Sequence, residues 1–195
     1  MSSSKDRILD AAETIVLRDG VARLTMDAVA QETQMSKGGV MYHFPSKEDL
    51  IRGMIGRMHY LFASEVARLK AKDPCPIGRT LRAMLNTTFP EHPGEVRSRI
   101  DRITAALVAA IATNPLLLEG TNAYSHELEA EILNDGLDPV VAMVIHMASD
   151  GIWMSQLFGI PHPPGDLRDR VVVRLKEMTL GTEKLGIVDR SFVPG

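Results

Sequence analysis

Between residues 25 and 50 the chain sets hydroxyls, glycines and basic donors at spacings suited to gripping an anion, not to breaking a bond. Thr25 and Ser36 each stand one residue ahead of a short amphipathic run, where a hydroxyl accepts from a free N–H of the first helical turn. Lys37, Gly38 and Gly39 follow Ser36 directly, with Tyr42, His43 and Lys47 beyond them. A helix opening at Ser36 aims its unpaired N–H groups and positive dipole end outward, and Lys37 adds charge there. Two adjacent glycines in a helix of about nine residues cost roughly 1 kcal/mol each relative to alanine, so close approach of a ligand is the reason to keep them. Tyr42, His43 and Lys47 are donors suited to phosphate oxygens.

Other chemistry finds no support in the residues. The histidines, His43, His59, His92, His126, His146 and His162, lack metal-ligand spacing, and His146 with Asp150 is a lone pair one helical turn apart. No Gly-x-Ser-x-Gly elbow or phosphate-binding loop occurs. The single cysteine, Cys75, lies between two prolines and has no intrachain partner for a disulfide. We therefore expect no catalytic residues, metal or cofactor, and no enzyme.

The elements that must position these donors are helices. Apolar residues recur at spacings of three and four, alternation of period two is nearly absent, and an all-α fold follows. Ser3 or Ser4 caps a first helix to about Asp19, closed by Gly20. Thr25 opens a second to about Thr33, and after the break at Gln34-Met35, Ser36 opens a third that Phe44-Pro45 stops. Ser46, with Asp49 three residues on, begins a long helix to about Ala71. Beyond it helices are predicted over 77–89, 95–113, 115–134, 139–158 and 167–180. Thr25–Phe44 is thus a helix-turn-helix, a motif whose second helix enters the major groove of duplex DNA.

Net charge is −3, which by itself does not favour DNA; lysine and arginine outnumber the acids over 1–72, however, and acids dominate 73–195. Lys72-Asp73-Pro74-Cys75-Pro76 is the clearest linker, so a DNA-binding domain is placed at 1–50 with a connecting helix to about 71, and a second domain at 72–195. The N-terminus runs into charged residues without an apolar signal segment, and no apolar run of membrane length is read. The expected compartment is the cytoplasm, with no membrane partner.

The run Ser36-Lys37-Gly38-Gly39-Val40-Met41-Tyr42-His43-Phe44-Pro45-Ser46-Lys47-Glu48-Asp49-Leu50 resembles the recognition segment of the TetR (tetracycline-repressor) family. Arg7–Glu13 and Leu24–Ala30 resemble that family's first two helices, so the strong match covers about residues 5 to 55. The family commonly has glycine where Gln34 stands, threonine where Gly39 stands and an aromatic where Met41 stands. The resemblance implies phosphate contacts from Thr25, Tyr42, His43 and Lys47, with Ser36, Lys37, Gly38 and Gly39 facing the groove and Phe44 in the core. It implies an N-terminal three-helix DNA-binding domain joined to a larger helical domain for effector binding and dimerisation.

On that reading the partners are an operator duplex, a small-molecule effector and a second copy of the chain. Effector-facing candidates on the middle helices are Met84, Thr88, Phe89, Ile103, Leu107, Ile111, Tyr124, His146 and Trp153. Dimerisation is assigned to the last two long helices through Met143, Met147, Ile152, Met154, Leu157, Val171, Val172, Leu175 and Met178. The expected function is a repressor that binds a palindromic operator as a dimer and is released by the effector. A DNA-binding protein without an effector, and a helical enzyme with a vestigial DNA-binding domain, stand as alternatives.

Overall fold

The first four helices start where side chains satisfy the free N–H groups of a first turn. The computed structural model describes residues 3–91, 95–119, 122–161 and 163–181, with side chains at 95–98 and 122–125 outside that description. Ser3 Oγ accepts from Asp6 N at 3.1 Å and the Asp6 carboxylate accepts from Ser3 N at 3.2 Å, a reciprocal cap that opens α1 (Ser4–Asp19). Gly20, at φ +83, ends it, and a 3-10 turn over Val21–Arg23 leads on. Thr25 caps α2 (Met26–Thr33) and Ser36 caps α3 (Lys37–His43). Ser46 Oγ accepts from Asp49 N at 3.0 Å at the head of α4 (Lys47–Lys70) and donates to the Asp49 carboxylate at 2.6 Å. That hydroxyl bond holds the Asp49 carboxyl below its ordinary range, with Arg52 adding to the effect.

The remaining helices are α5 (Arg79–Thr88), α6 (Glu95–Thr113), α7 (Asn122–Leu133), α8 (Pro139–Leu157) and α9 (Gly165–Met178), and no strand occurs among the described residues. The single helix predicted over 115–134 is two elements. Pro115 opens only a 3-10 turn, Pro115–Leu118, which delivers Leu117 to a buried position before α7 begins.

Two compact units form, Met1–Ala63 with His92–His126, and Ser64–Glu91 with Glu127–Gly195. The division expected near residue 72 follows local proline breaks; packing groups α6 with the first three helices. Ile103 and Leu107 of α6, both buried, complete a core with Ile8, Ile15, Leu24, Val29, Val40, Phe44, Leu50 and Met54. At Gly53 a Cβ would lie 2.6 Å from Phe44 Cε1, so the glycine makes room for the ring that closes α3. Arg57 donates to Asp10 Oδ1 at 2.7 Å and pairs with the nearly buried Glu13, tying α4 to α1.

In the second unit α5, α8 and α9 pack on one another, burying Leu81 and Leu85 of α5 with Phe89 just beyond it, Val141, Ile145 and Ile152 of α8, and Val172 and Leu175 of α9. The start of α5 has no side-chain cap of its own. Asp135 supplies one from a distance, its carboxylate accepting from Thr80 N at 2.7 Å, Thr80 Oγ1 at 3.1 Å and Leu81 N at 3.4 Å. Arg82 is likewise buried, donating to Asp73 at 2.8 Å, to the Cys75 and Ile77 carbonyls, and to the Thr179 carbonyl at 2.8 Å. The Arg82 guanidinium holds the Asp73 carboxyl below the usual carboxylate range.

By length and composition alone α8 could cross a membrane, with mean hydropathy 1.2 over its window, which corrects the expectation that no such stretch exists. Its Val141, Ala142, Ile145 and Ile152 are instead buried within the second unit.

Candidate nucleic-acid interface

Short range decides the geometry of the helix-turn-helix. Thr25 Oγ1 accepts from Ala28 N at 3.1 Å and Ser36 Oγ accepts from Gly39 N at 3.0 Å, so both hydroxyls are committed to their own helix ends as acceptors, leaving each O–H proton for an outside acceptor. Between the two helices Gln34 takes a left-handed backbone, φ 56, and Met35 N donates back to Ala30 O at 3.0 Å. Gln34 is the one non-glycine residue with positive φ among the described residues. Arg7 on α1 braces the turn by donating to the Thr33 carbonyl at 3.1 Å, and Thr33 Oγ1 returns to Val29 O at 2.7 Å.

On α3 the inward face is Val40, fully buried, with Phe44 just beyond the helix. The outward face carries Ser36, Lys37, Gly38, Met41 and Tyr42, and the Tyr42 side chain is 85% exposed. The phenol, an apolar body with a polar tip, thus stands in solvent while its helix buries Val40. His43, half-buried, meets the Tyr42 ring edge-on at 5.2 Å between centroids. A Cβ on Gly38 would meet nothing within 4 Å, so no packing inside the chain requires this glycine, and its bare backbone leaves room for an outside surface. Gly39 differs: a Cβ there would lie 3.2 Å from the capping Ser36 Oγ.

Two of the predicted donors have partners. Lys47, half-buried, gives one proton to the Val21 carbonyl at 3.0 Å. Lys37 is held by Asp27 on the first turn of α2, Nζ to Oδ2 2.9 Å. The opposite charges at positions 27 and 37 are the signal for this pair in the sequence. Thr25, Ser36, Lys37, Gly38, Tyr42 and His43 belong to the helix-turn-helix and Lys47 to the first turn of α4 just beyond it, residue types suited to a polyanionic duplex.

The effector candidates divide between the units. Ile103 and Leu107 are core residues of the first unit and Ile111 packs partly against them. Met84 and Phe89 are buried in the second unit, with Thr88, His146 and Trp153 half-buried there; the Tyr124 side chain lies outside the described residues. Arg168 of α9 stands over the Phe89 ring at 5.5 Å. His146 approaches Asp150 only to 3.8 Å, and among the described residues no cluster of metal-ligating side chains forms.

The dimerisation candidates also separate into two faces. Ile152, Val172 and Leu175 are buried in the core of their own unit. Met143, Leu157, Val171 and Met178 are half-buried, whereas Met147 is 66% exposed and Met154 39%. The pattern of surplus apolar residues missed Val140, Val144 and Phe158, which are exposed and fall with Met147 and Met154 at spacings of three, four and seven along α8.

Comparison with known proteins divides the chain between residues 54 and 78. The family model described as bacterial regulatory proteins, tetR family, matches residues 8–54, and that described as tetracyclin repressor-like, C-terminal domain, matches 78–180. A curated relative, the HTH-type transcriptional regulator TtgR of Pseudomonas putida, is 26% identical over 97 residues, 49% of this chain and 46% of that protein. The match thus spans about half the length of such curated relatives. Among solved structures, a transcriptional regulator from Rhodococcus sp. Rha1 superposes with TM-score 0.71 at 18% identity, covering 91% of this chain and 96% of that one. The multidrug binding protein EbrR, solved with imidazole, gives TM-score 0.65 at 25% identity, with 88% of each chain covered.

Proposed function

The chain belongs to the TetR family of bacterial regulatory proteins, and we propose that it is a ligand-responsive repressor that binds a palindromic operator as a homodimer and is released by a small-molecule effector. The observation that carries the reading is the outward face of α3, where a capped helix start, a Gly38 that no described residue approaches and an 85% exposed Tyr42 stand beside Lys37. Ser36, Lys37, Gly38 and Gly39 face the groove; Thr25, Tyr42, His43 and Lys47 hold the phosphates on either side. These contacts lie in residues 1–50, and effector binding and dimerisation fall to the chain beyond 72.

One short recognition helix discriminates poorly, which favours two, held about 34 Å apart to reach successive major-groove faces. The stripe Val140, Val144, Met147 and Met154 on α8, continued by Phe158 at its end, supports a self-complementary helical interface, since an apolar row of this length marks a contact surface. For the effector we favour the second unit's Met84, Thr88, Phe89, His146 and Trp153, on α5 and α8. The likeness to EbrR, a multidrug binding protein, favours an organic molecule with apolar area to bury.

Selection of duplexes from a random pool by the full chain tests the proposal. Enrichment of an inverted repeat with half-sites about 10 bp apart, or a multiple of that, is expected, and failure to enrich any sequence at low salt would overturn it. Thermal shift across an organic-compound library then tests the effector, because a ligand that binds only the folded state raises the unfolding midpoint.

A further inference from the structure

The first turn of α3 carries one long side chain. Gly38 and Gly39 have none, and Ser36 is engaged in capping, so Lys37 alone can extend from the helix start into a groove. Its ammonium is held at 2.9 Å by the carboxylate of Asp27, one of two acids in α2, although both partners are more than half exposed. An exposed pair of this kind contributes little to stability. On a face meant for phosphates, moreover, a carboxylate is a repulsive group that simple affinity would exclude.

We propose that Asp27 is a positioning residue for operator recognition: it holds Lys37 at one base step and keeps its charge from roaming over phosphates. The inference rests on the DNA-binding reading above. An ammonium has three protons; one is given to Asp27, which leaves two for acceptors such as guanine O6 and N7 in the major groove. Pairing with Asp27 also lowers the gain from random phosphate contact, which is the source of sequence-independent binding. Asp27 therefore raises discrimination at the expense of total affinity, as a repulsive element does in other selective interfaces.

The test uses the selected duplex and a scrambled duplex of the same composition, with wild type, Asp27→Asn, Lys37→Ala and the double variant, over a salt series. Asp27→Asn is expected to tighten binding to the scrambled duplex about fivefold and steepen its salt slope by about one unit, with little gain on the selected duplex. Reselection with Asp27→Asn should relax the same base position that Lys37→Ala relaxes, and in the Lys37→Ala background the Asp27 change should no longer alter discrimination. Equal tightening on both duplexes, undiminished without Lys37, would mean simple charge repulsion and overturn the proposal, as would no change on either. If Lys37→Ala and Tyr42→Ala both leave every duplex affinity unchanged, the interface itself fails and this inference with it; that outcome is separate from a failure of Asp27→Asn alone.

Discussion

In the first unit the polar groups that cap the helix-turn-helix are turned outward and settled by neighbours three residues away, even though the nearly buried Glu13 of that unit meets Arg57 across 44 residues. In the second they are turned inward and settled by partners far along the chain. Thr25 reaches Ala28 and Ser36 reaches Gly39, whereas Asp135 caps α5 across 55 residues and Arg82 grips Thr179 across 97. A binding surface can be built from local rules because its groups remain available to solvent. A buried guanidinium or carboxylate must have every hydrogen bond answered, and the answering atoms can come from anywhere in the fold. The two regions should therefore respond differently to the loss of a single polar group.

The largest effect is expected where a distant cap is removed. Asp135→Ala leaves Thr80 and Leu81 N–H groups unanswered in a buried helix start, and should lower stability by about 2–3 kcal/mol in denaturant unfolding. A loss under half of that would erase the contrast between the regions. The local cap Thr25→Ala should cost less, about 1 kcal/mol, while also weakening duplex binding, a combination that calorimetry and fluorescence anisotropy separate. Gln34→Gly should raise stability by about 0.5 kcal/mol, since glycine takes the left-handed turn without the strain Gln34 bears; a lower unfolding midpoint would show that the turn is held by something other than local backbone preference.

The smallest effect depends on pH. The folded Asp73 carboxyl lies below its ordinary value because Arg82 donates to it, so its contribution is fully present above the unfolded pKa and is lost as pH falls through the folded one. Asp73→Asn should weaken the protein near neutrality and differ little from wild type in acid; equal destabilisation at both ends would place the effect in packing instead of charge.

The same contrast explains what was legible in the sequence. Helix starts at Ser3, Thr25, Ser36 and Ser46 could be read because a hydroxyl and the N–H it accepts lie three residues apart. The recognition segment was legible for the same reason, down to Phe44 in the core. The left-handed Gln34 was not foreseen because glycine is the residue that announces such a turn. On α8 and α9 a surplus of apolar residues was visible, but periodicity alone cannot tell the face that packs inward from the one left outside. Val172 and Leu175 are accordingly assigned to the dimer interface although both are buried in their own unit, and the exposed Val140, Val144 and Phe158 are left out of it. Ile103 and Leu107 were assigned to an effector pocket because order along the chain placed them among the middle helices, while packing placed them beside Ile8 and Leu50.

The proposed DNA binding rests most heavily on the outward face of α3, and Tyr42 is the most exposed large side chain there. Fluorescence anisotropy with the selected duplex, comparing wild type and Tyr42→Ala at one fixed salt concentration, tests that face directly. The prediction is a loss of affinity of about tenfold or more with the unfolding midpoint unchanged. Equal affinity of the two proteins for that duplex would contradict it.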